Sequence, residues 1–509
     1  MSNIAAPPKA GRREWIGLVA IALPGLVVVM DLTVLHLAVP AISGDLKPSP
    51  SQLLWIVDIY GFLLSGSLVT MGTLGDRIGR RRLLLIGAAA FAAASVLAAF
   101  SRSPEMLIAA RALLGVAGAT LAPSTLSLIR NMFLDDRERT VAVGLWVGSF
   151  AAGSALGPVV GGALIEYFWW GAVFLVPVPV MALLLLLGPR LLPEFRDPNA
   201  GRLDLVSAAL SVAAVLSVIY GLKLVAQDGL GVIPVLSIAI GVVLGVVFVR
   251  RQGTLAHPLI DLRLFRIPVF SATVLTLTLN AFVMFAASFF TAQYFQLVLG
   301  LSPLRAGLWT LPSALGVIAS SQLAPWLVRR ARPLTVMIGG SLLCAFGFAV
   351  LALAPEGGLP VLVAGSVIIT LGAGPIATLA NAGIVGAAPP ERAGSAAAIS
   401  QTSVDFGGAL GMAILGSVGV AVYRLAMVGA VPSGVSPDAA AVARSTLGGA
   451  FAIARDLPAT MGAALLEAAR GAFGDAYLAF AIVSAVLMVA AAAVLALVAT
   501  RTSPSRSSG

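Results

Sequence analysis

The 509-residue chain holds very little that could support covalent or metal chemistry. It has one cysteine, Cys344, and two histidines, so neither a disulfide framework nor a thiolate metal site is available. It shows no nucleophile motif and no phosphate-binding Gly-Lys-Ser/Thr loop, which argues against an enzyme and against ATP as the energy source. We therefore expect a protein that is not an enzyme and that needs no cofactor and no metal.

Charge is also scarce. Charged residues make up 11% of the chain, hydrophobic residues make up 59%, and the mean hydropathy is +1.01. This composition is typical of a polytopic membrane protein and excludes a soluble globular domain. The net charge of +10 lies mostly in short loops between apolar runs, so the expected partner is the lipid bilayer and not nucleic acid.

The apolar runs predict an all-α chain with fourteen transmembrane helices, because one span needs about 20 apolar residues. Their spacing divides them into an N-terminal six-helix bundle over 15–189, two inserted helices over 204–250 and a C-terminal six-helix bundle over 268–500. The predicted spans are 15–40, 52–74, 83–101, 105–131, 139–165, 171–189, 204–226, 232–250, 268–299, 304–327, 335–353, 360–388, 391–421 and 473–500.

Basic residues cluster on one side of this alternating topology, which predicts that both tails, 1–14 and 501–509, are cytoplasmic. The first span lacks a clean cleavage site, so we expect an uncleaved anchor in a bacterial-type cytoplasmic membrane. Segment 423–472 then lies on the outer side. Its charges and its Ser436-Pro437 start predict one or two amphipathic helices outside the bilayer.

Four ionisable side chains fall inside the spans, where a charge is costly unless it is used. Arginine does not usefully deprotonate, so the predicted task of Arg111 is to bias the protonation of a nearby carboxylate; the alternative is that it reaches towards an interface. The acids can take up a proton or attract a cation. The four residues are Asp31, Asp58, Asp405 and Arg111.

Asp58 shares a helix face with Trp55 and Phe62, at i, i+3 and i+7. A carboxylate beside an aromatic ring suits a lipophilic cation, although Asp58 could instead face water in an outer vestibule. His36 is either a second titratable group or a packed neutral imidazole. The ninth span offers six further candidates, of which we expect only two or three to touch substrate: Phe282, Phe285, Phe289, Phe290, Gln293 and Tyr294. Asn381 and Gln401 are candidates for hydrogen bonds to substrate.

The loop between the second and third spans reads Gly72-Thr73-Leu74-Gly75-Asp76-Arg77-Ile78-Gly79-Arg80-Arg81-Arg82. It resembles the signature loop of the major facilitator superfamily, in which glycines permit a tight turn and the charges can latch one conformation. The alternative is a basic loop that only fixes topology. A degenerate echo at 327–332 departs from the signature at Arg332-Pro333. The gating residues implied by the resemblance are Gly72, Gly75, Asp76, Arg77, Gly79 and Arg80.

The fifth span contains Gly153-Ser154-Ala155-Leu156-Gly157-Pro158-Val159-Val160-Gly161-Gly162. It resembles the antiporter motif of exporters in the same superfamily. Small residues let helices approach closely and Pro158 bends the helix, although such runs also serve plain packing. The motif residues Gly153, Gly157, Pro158, Gly161 and Gly162 favour export over uptake.

With Asp31-Leu32-Thr33-Val34 and Trp55-Ile56-Val57-Asp58-Ile59-Tyr60, the chain resembles the fourteen-helix drug:proton antiporter family of the major facilitator superfamily, and within it the QacA/SmvA/LfrA-type exporters of quaternary ammonium compounds and cationic dyes. The resemblance implies the major facilitator fold and proton-coupled export of lipophilic cations by alternating access. It also implies that Asp31 and Asp405 are the better-placed proton and cation sites. We expect a monomer. Open alternatives are a dedicated exporter of an endogenous metabolite or lipid and a proton-coupled uptake symporter.

Overall fold

The computed structural model describes residues 9–196, 204–229, 231–255, 263–386 and 393–502, and within these ranges every regular element is a helix. Short 3₁₀ helices span Trp170–Leu175 and Leu264–Arg266, and a π-helical turn spans Tyr294–Val298. The α-helices are α1 (Arg12–Leu46), α2 (Pro50–Ile78), α3 (Arg80–Ala99), α4 (Pro104–Gly118), α5 (Leu121–Met132), α6 (Asp136–Tyr167), α7 (Pro177–Leu191), α8 (Leu205–Asp228), α9 (Val232–Thr254), α10 (Pro268–Gln293), α11 (Pro303–Trp309), α12 (Leu311–Leu327), α13 (Pro333–Leu351), α14 (Ala354–Gly386), α15 (Ala393–Ala426), α16 (Pro437–Ser445), α17 (Leu447–Ala454) and α18 (Ala459–Thr502).

Twelve helical stretches in the described ranges are long and apolar enough to cross a bilayer. The predicted all-α membrane class is therefore confirmed. The predicted seventh span corresponds to α8, whose apolar stretch Ala209–Leu222 is shorter than the others. The predicted tenth span, 304–327, is divided into α11 and α12. The count of fourteen spans stays a prediction.

The division of the tenth span has a local cause. Pro312 lacks a backbone N–H. The carbonyl of Leu308, four residues earlier, therefore does not receive the hydrogen bond that it would accept in a continuous helix. The Thr310 hydroxyl instead donates to the carbonyl of Gly307 at 2.7 Å, where α11 ends. A similar interruption at Ala119 and Thr120 separates α4 from α5. Proline and threonine chemistry thus breaks helices that hydropathy alone reads as continuous.

The segment predicted to lie outside the bilayer, 423–472, contains the end of α15, the two short helices α16 and α17, and the first turns of α18. The last helix begins at Ala459, so it contains the predicted span 473–500 together with residues that precede it. The Arg470 guanidinium in α18 donates to the carbonyl of Leu297 at 3.1 Å and lies 5.4 Å from the centre of the Phe451 ring in α17. These contacts hold α17 against α18.

By its contacts the chain divides into two compact units. The first unit is Met1–Ala41 with Trp55–Val212, and the second unit is Ile42–Leu54 with Ala213–Gly509. The division between the two units falls inside α8 and therefore inside the predicted insertion 204–250. Those predicted boundaries stay a prediction.

Each unit has its own packing core. In the first unit α3 packs on α4, α5 and α7. In the second unit α13 packs on α14 and α18, and α10 packs on α15 and α18.

Candidate functional site

The central feature of the first unit is a buried ion pair between α1 and α4. Arg111 Nη1 lies 2.5 Å from Asp31 Oδ2, and the two side chains are 0% and 3% exposed. A hydrogen bond between two ionised groups is about twice as strong as a neutral one. In apolar surroundings each charge also needs the other, because neither is solvated by water. The pair therefore fixes the two helices at this depth as long as Asp31 is ionised.

Helix α2 completes the surroundings of the guanidinium. Arg111 Nε donates to the carbonyl of Ile56 at 3.1 Å, and Nη2 lies 3.5 Å from the carbonyl of Val57. The guanidinium carbon is 4.8 Å from the ring centre of Tyr60 and 5.8 Å from that of Phe174. Aromatic faces attract cations. Arg111 is thus enclosed by α1, α2 and two rings and does not extend to an interface.

The other candidate residues of α1 and α2 are close in sequence to the residues that contact Arg111. Asp58 follows directly after the two carbonyls that Arg111 binds, and it is 3% exposed. Phe62 is buried and Trp55 is half-buried. His36 is buried on α1, five residues after Asp31.

The antiporter motif forms a close seam between α6 and α1. A Cβ at Gly153 would overlap the backbone carbonyl of Leu26, and one at Gly157 would overlap the Thr33 hydroxyl. A Cβ at Gly161 would lie 2.6 Å from Val34. Gly162 is buried in the same helix and Pro158 is half-buried. The seam brings α6 against the stretch of α1 that carries Asp31.

The second unit contains an equivalent seam between α15 and α10. Here a Cβ at Gly407 would overlap the carbonyl of Thr278, and a Cβ at Gly411 would overlap the carbonyl of Phe282. Gly408 faces the ring of Phe285, and a Cβ at Gly408 would lie 2.8 Å from the nearest ring carbon. The half-buried Phe285 is thus held flat against a glycine.

The remaining aromatic candidates of α10 and of the π-helical turn that follows it belong to a packed cluster. Tyr294 is 3% exposed, and its ring centre lies 4.9 Å from that of Tyr477 in α18. Phe289 is 5% exposed and meets Phe290 edge-on at 5.6 Å. Gln293 is also buried. The structure therefore places Phe289, Gln293 and Tyr294 in the interior of the second unit.

On α14, Asn381 is exposed, donates to the carbonyl of Ala377 at 2.8 Å and accepts a hydrogen bond from the Ser400 hydroxyl of α15. Two further candidates, Gln401 and Asp405, lie on α15. Their side chains are outside the described part of the chain, and so is the side chain of Asp76 in α2.

Comparison with known proteins identifies the family of this chain. The family model described as Major Facilitator Superfamily matches residues 21–412. The chain belongs to the major facilitator superfamily. This match covers the ion pair, the signature loop and both glycine seams.

Two relatives of this major facilitator protein are drug exporters or resistance proteins. It is 46% identical over 484 residues to the multidrug efflux pump LfrA of Mycolicibacterium smegmatis, covering 95% of this chain and 96% of that protein. It is 35% identical over 469 residues to the methyl viologen resistance protein SmvA of Salmonella typhimurium, covering 91% and 93%. The predicted likeness to the exporters of this superfamily is confirmed.

A solved structure shows the same fold. The crystal structure of a bacterial homologue of the human lysosomal transporter Spinster superposes with a TM-score of 0.64 at 17% identity, covering 96% of this chain and 99% of that one. At this identity the likeness concerns the fold alone.

Sequence reasoning missed one residue that contacts the signature loop of this major facilitator protein. Glu194, after α7, lies 3.6 Å from Arg81 Nε and 3.9 Å from Arg82 Nε, and its Oε1 accepts from the backbone N–H of Arg81 at 3.1 Å. Gly79 has φ +109°, and a Cβ there would overlap this carboxylate. The sequence contains a signal for this contact, because Glu194 is an acid between two basic residues, Arg190 and Arg196.

The other loop residues surround this contact. The backbone N–H of Arg80 donates to the carbonyl of Phe195 at 2.9 Å, and Arg196 Nε donates to the carbonyl of Ile78 at 3.1 Å. Arg80 is buried, while Arg77 is exposed at the end of α2. Gly75 packs near Arg80, and Gly72 lies at ordinary contact distance from Pro123. The loop is thus joined to the chain that leaves α7.

Proposed function

We propose that the protein is a proton-coupled multidrug efflux antiporter that exports lipophilic organic cations, namely quaternary ammonium antiseptics, cationic dyes and cationic antibiotics, by alternating access. The observation that carries the proposal is the buried pair of Asp31 and Arg111 in a chain whose relatives export drugs. A buried acid that has one fixed cationic partner is suited to proton coupling, because protonation changes the balance of charge inside the unit.

The proposed proton step takes place at Asp31. While it is ionised, its carboxylate neutralises Arg111 and holds α1 to α4. When Asp31 takes up a proton, the attraction is lost, but the guanidinium keeps the carbonyl of Ile56 as an acceptor. Proton uptake thus frees α1 from α4 without moving the cation, and the two states differ in how strongly these helices are joined.

The proposed substrate step uses the second acid of the first unit. Asp58 offers a negative charge and Trp55, on the same face of α2, offers an aromatic surface, which together suit a lipophilic cation. In the second unit we propose Asp405 and Gln401 on α15, Asn381 on α14 and Phe285 on α10 as further contacts. Phe285 is half-buried, whereas Phe289 and Tyr294 are packed.

Charge arithmetic sets the driving force. Exchange of one proton for one monovalent cation moves no net charge, so only the pH gradient drives it. Each additional proton makes the membrane potential contribute about 2.3 kcal/mol per 100 mV. An exporter with several titratable acids can therefore use both components of the proton motive force.

The proposed setting follows from the positions of the basic residues. We propose a multi-pass monomer in a bacterial-type cytoplasmic membrane with both termini cytoplasmic, fourteen spans and segment 423–472 on the outer side. The proposed organisation is two six-helix bundles, 15–189 and 268–500, with 204–250 inserted between them.

The test is ethidium transport in energised inverted vesicles, with and without a protonophore. We compare the wild type with Asp31→Asn and Asp58→Asn at matched protein amount. The control is Asp45→Asn, which makes the same chemical change at an exposed position near the end of α1. We expect protonophore-sensitive ethidium transport in the wild type and in the control. We expect loss of coupling in Asp31→Asn and weaker apparent ethidium affinity in Asp58→Asn.

Three outcomes would overturn the proposal. Ethidium transport by Asp31→Asn that stays as protonophore-sensitive as the wild type would remove the proton role from this acid. If the wild type moved no cationic dye, a dedicated exporter of an endogenous metabolite or lipid would replace the multidrug function. Net dye uptake into intact cells would instead indicate a symporter.

A further inference from the structure

A cavity of about 360 Å³ lies where the chain enters α1. Its polar lining includes Lys9, Arg13 and Glu14. Its apolar lining includes Leu134, which follows α5, and Leu191 at the end of α7. The cavity thus joins three segments of the first unit, and it is remote in sequence from Asp31 and Arg111.

The carboxylates around this cavity are already used by backbone groups. Glu14 Oε2 accepts from the N–H of Gly11 at 2.7 Å, and Glu138 Oε2 accepts from the N–H of Ala10 at 2.7 Å. Neither acid forms an ion pair with Lys9 or Arg13, and within the described residues these two cations have no ion-pair partner. The lining itself holds two cationic side chains, Lys9 and Arg13, and one carboxylate, Glu14, so its formal charge is +1.

Arg13 is nevertheless held in place. Its Nη2 donates to the carbonyl of Arg190 at 2.6 Å, which ties the start of α1 to the end of α7. A guanidinium has five N–H donors, so others remain for an anion. Because the side chain is anchored, less conformational freedom is lost when a ligand binds.

The residues next to the cavity are of the types found at the level of lipid headgroups. Trp15, two residues after Arg13, packs edge-on against Phe133 with ring centres 5.0 Å apart. Tryptophan is enriched at membrane–water interfaces. Ile16 is three residues after Arg13, so both lie on one face of α1, and Ile16 is 52% exposed. Leu134, in the cavity wall, is also 52% exposed. Cationic groups are thus followed directly by exposed apolar surface.

We propose that this cavity binds the phosphate of an anionic phospholipid from the adjoining leaflet. Basic pockets at the ends of transmembrane helices recognise acidic headgroups. Inorganic phosphate could bind Lys9 and Arg13 equally well, but it has no apolar group to pack against Leu134 or Ile16. The apolar wall therefore selects the lipid, whose acyl chain continues along the exposed face of α1.

The test uses native mass spectrometry of the purified full-length protein with equimolar phosphatidylglycerol and phosphatidylcholine. The variant is Lys9→Gln with Arg13→Gln. The control is Arg12→Gln with Arg329→Gln, which removes the same charge at exposed arginines outside the cavity lining. We expect the wild type and the control to retain phosphatidylglycerol in preference. We expect the variant to retain at least about fivefold less phosphatidylglycerol than the wild type. Each basic side chain near a membrane surface contributes a factor of about five to the binding of an anionic lipid.

Equal retention of phosphatidylglycerol by variant and control would overturn the proposal. A second measurement needs no substitution and separates the two sources of phosphate. Inorganic phosphate at millimolar concentration is added to the wild type with bound phosphatidylglycerol. Retention of the lipid supports a lipid site. Its complete displacement would show a site for inorganic phosphate. Equal retention of phosphatidylcholine would show that the cavity does not select an anionic headgroup. Either result overturns the proposal.

Discussion

Arg111 of α4 and Asp31 of α1 form a hydrogen-bonded ion pair with 2.5 Å between Nη1 and Oδ2, although 80 residues separate them in the chain. Both side chains are buried, so neither charge is compensated by bulk water if the other is removed. Breaking a buried pair of this kind by removing one partner costs about 3–5 kcal/mol. The arrangement makes the stability of the first unit depend on one contact, and in the proposed function the proton coupling depends on the same contact.

Arg111→Lys tests the planar geometry of the guanidinium. Lysine keeps the positive charge but cannot bind Asp31 and the carbonyl of Ile56 in one fixed fork. We expect at least about tenfold slower ethidium transport and a lower unfolding temperature, measured by thermal denaturation in detergent. The control is Arg102→Lys at an exposed position. Wild-type transport by Arg111→Lys would mean that charge alone is needed.

Gly157→Ala tests the seam between α6 and α1. The added Cβ would overlap the Thr33 hydroxyl, so the helices must separate. We expect transport to fall by about tenfold or more, with a stability loss on the order of 1–3 kcal/mol from overpacking. Gly144→Ala is the matched control, because it lies on the same helix with open space around its Cβ position. Similar losses from both substitutions would assign the effect to reduced backbone flexibility of α6 and not to the seam, because alanine favours a helix more than glycine does.

The equivalent seam in the second unit predicts a parallel result. Gly411→Ala places a Cβ on the carbonyl of Phe282, so α15 and α10 must separate. We expect a loss of transport comparable to that of Gly157→Ala. Gly339→Ala in α13 has open space and should keep wild-type transport. An active Gly411→Ala protein would show that close packing is needed in the first unit alone.

Glu194→Gln tests the contact that joins the signature loop to the chain after α7. The amide keeps a carbonyl oxygen for the N–H of Arg81 but loses its charge towards Arg81 and Arg82. These arginines are partly exposed, so we expect a stability change below about 1 kcal/mol. Gly79→Ala should be far more damaging, because its φ of +109° and the nearby carboxylate both disfavour a side chain. Thermal unfolding and dye efflux of both variants are the measurements, and a Gly79→Ala protein as stable as Glu194→Gln would contradict this.

Phe285→Ala and Phe289→Ala separate substrate contact from packing. Phe289 is 5% exposed in an aromatic cluster, so its truncation should lower stability by about 3–5 kcal/mol and affect all substrates alike. Phe285 is half-buried and should change the relative transport of different cations. Efflux of ethidium and of a small quaternary ammonium compound, measured for both variants, tests the distinction. Equal selectivity changes in both variants would contradict it.

The sequence was sufficient for the membrane class, because hydropathy and charge scarcity are properties of composition. It also drew attention to Asp31 and Arg111, since a charge within an apolar run is conspicuous. Their pairing was beyond reach, because Asp58 and Asp405 were equally available acids in the sequence. Only the packing of α1 against α4 decides which carboxylate meets the arginine.

The aromatic run of α10 shows a second limit. Spacing alone does not tell which face of an apolar helix meets other helices, so Phe289 and Tyr294 were grouped with Phe285. Glu194 shows a third. Its role depends on the chain after α7 returning to Gly79, a tertiary contact between residues 115 apart in the sequence. By contrast, the break before α12 was readable from Pro312.

The carbonyl of Ile56 holds Arg111 independently of Asp31. A positive charge that remains in position when its carboxylate partner is neutralised repels protons and metal ions from the interior of the first unit. In the proposed mechanism, the residue that pairs with the proton-binding carboxylate would therefore also be a barrier to passive leak. Such a protein would stay electrically tight in the absence of substrate and would not dissipate the gradient that is proposed to drive its transport.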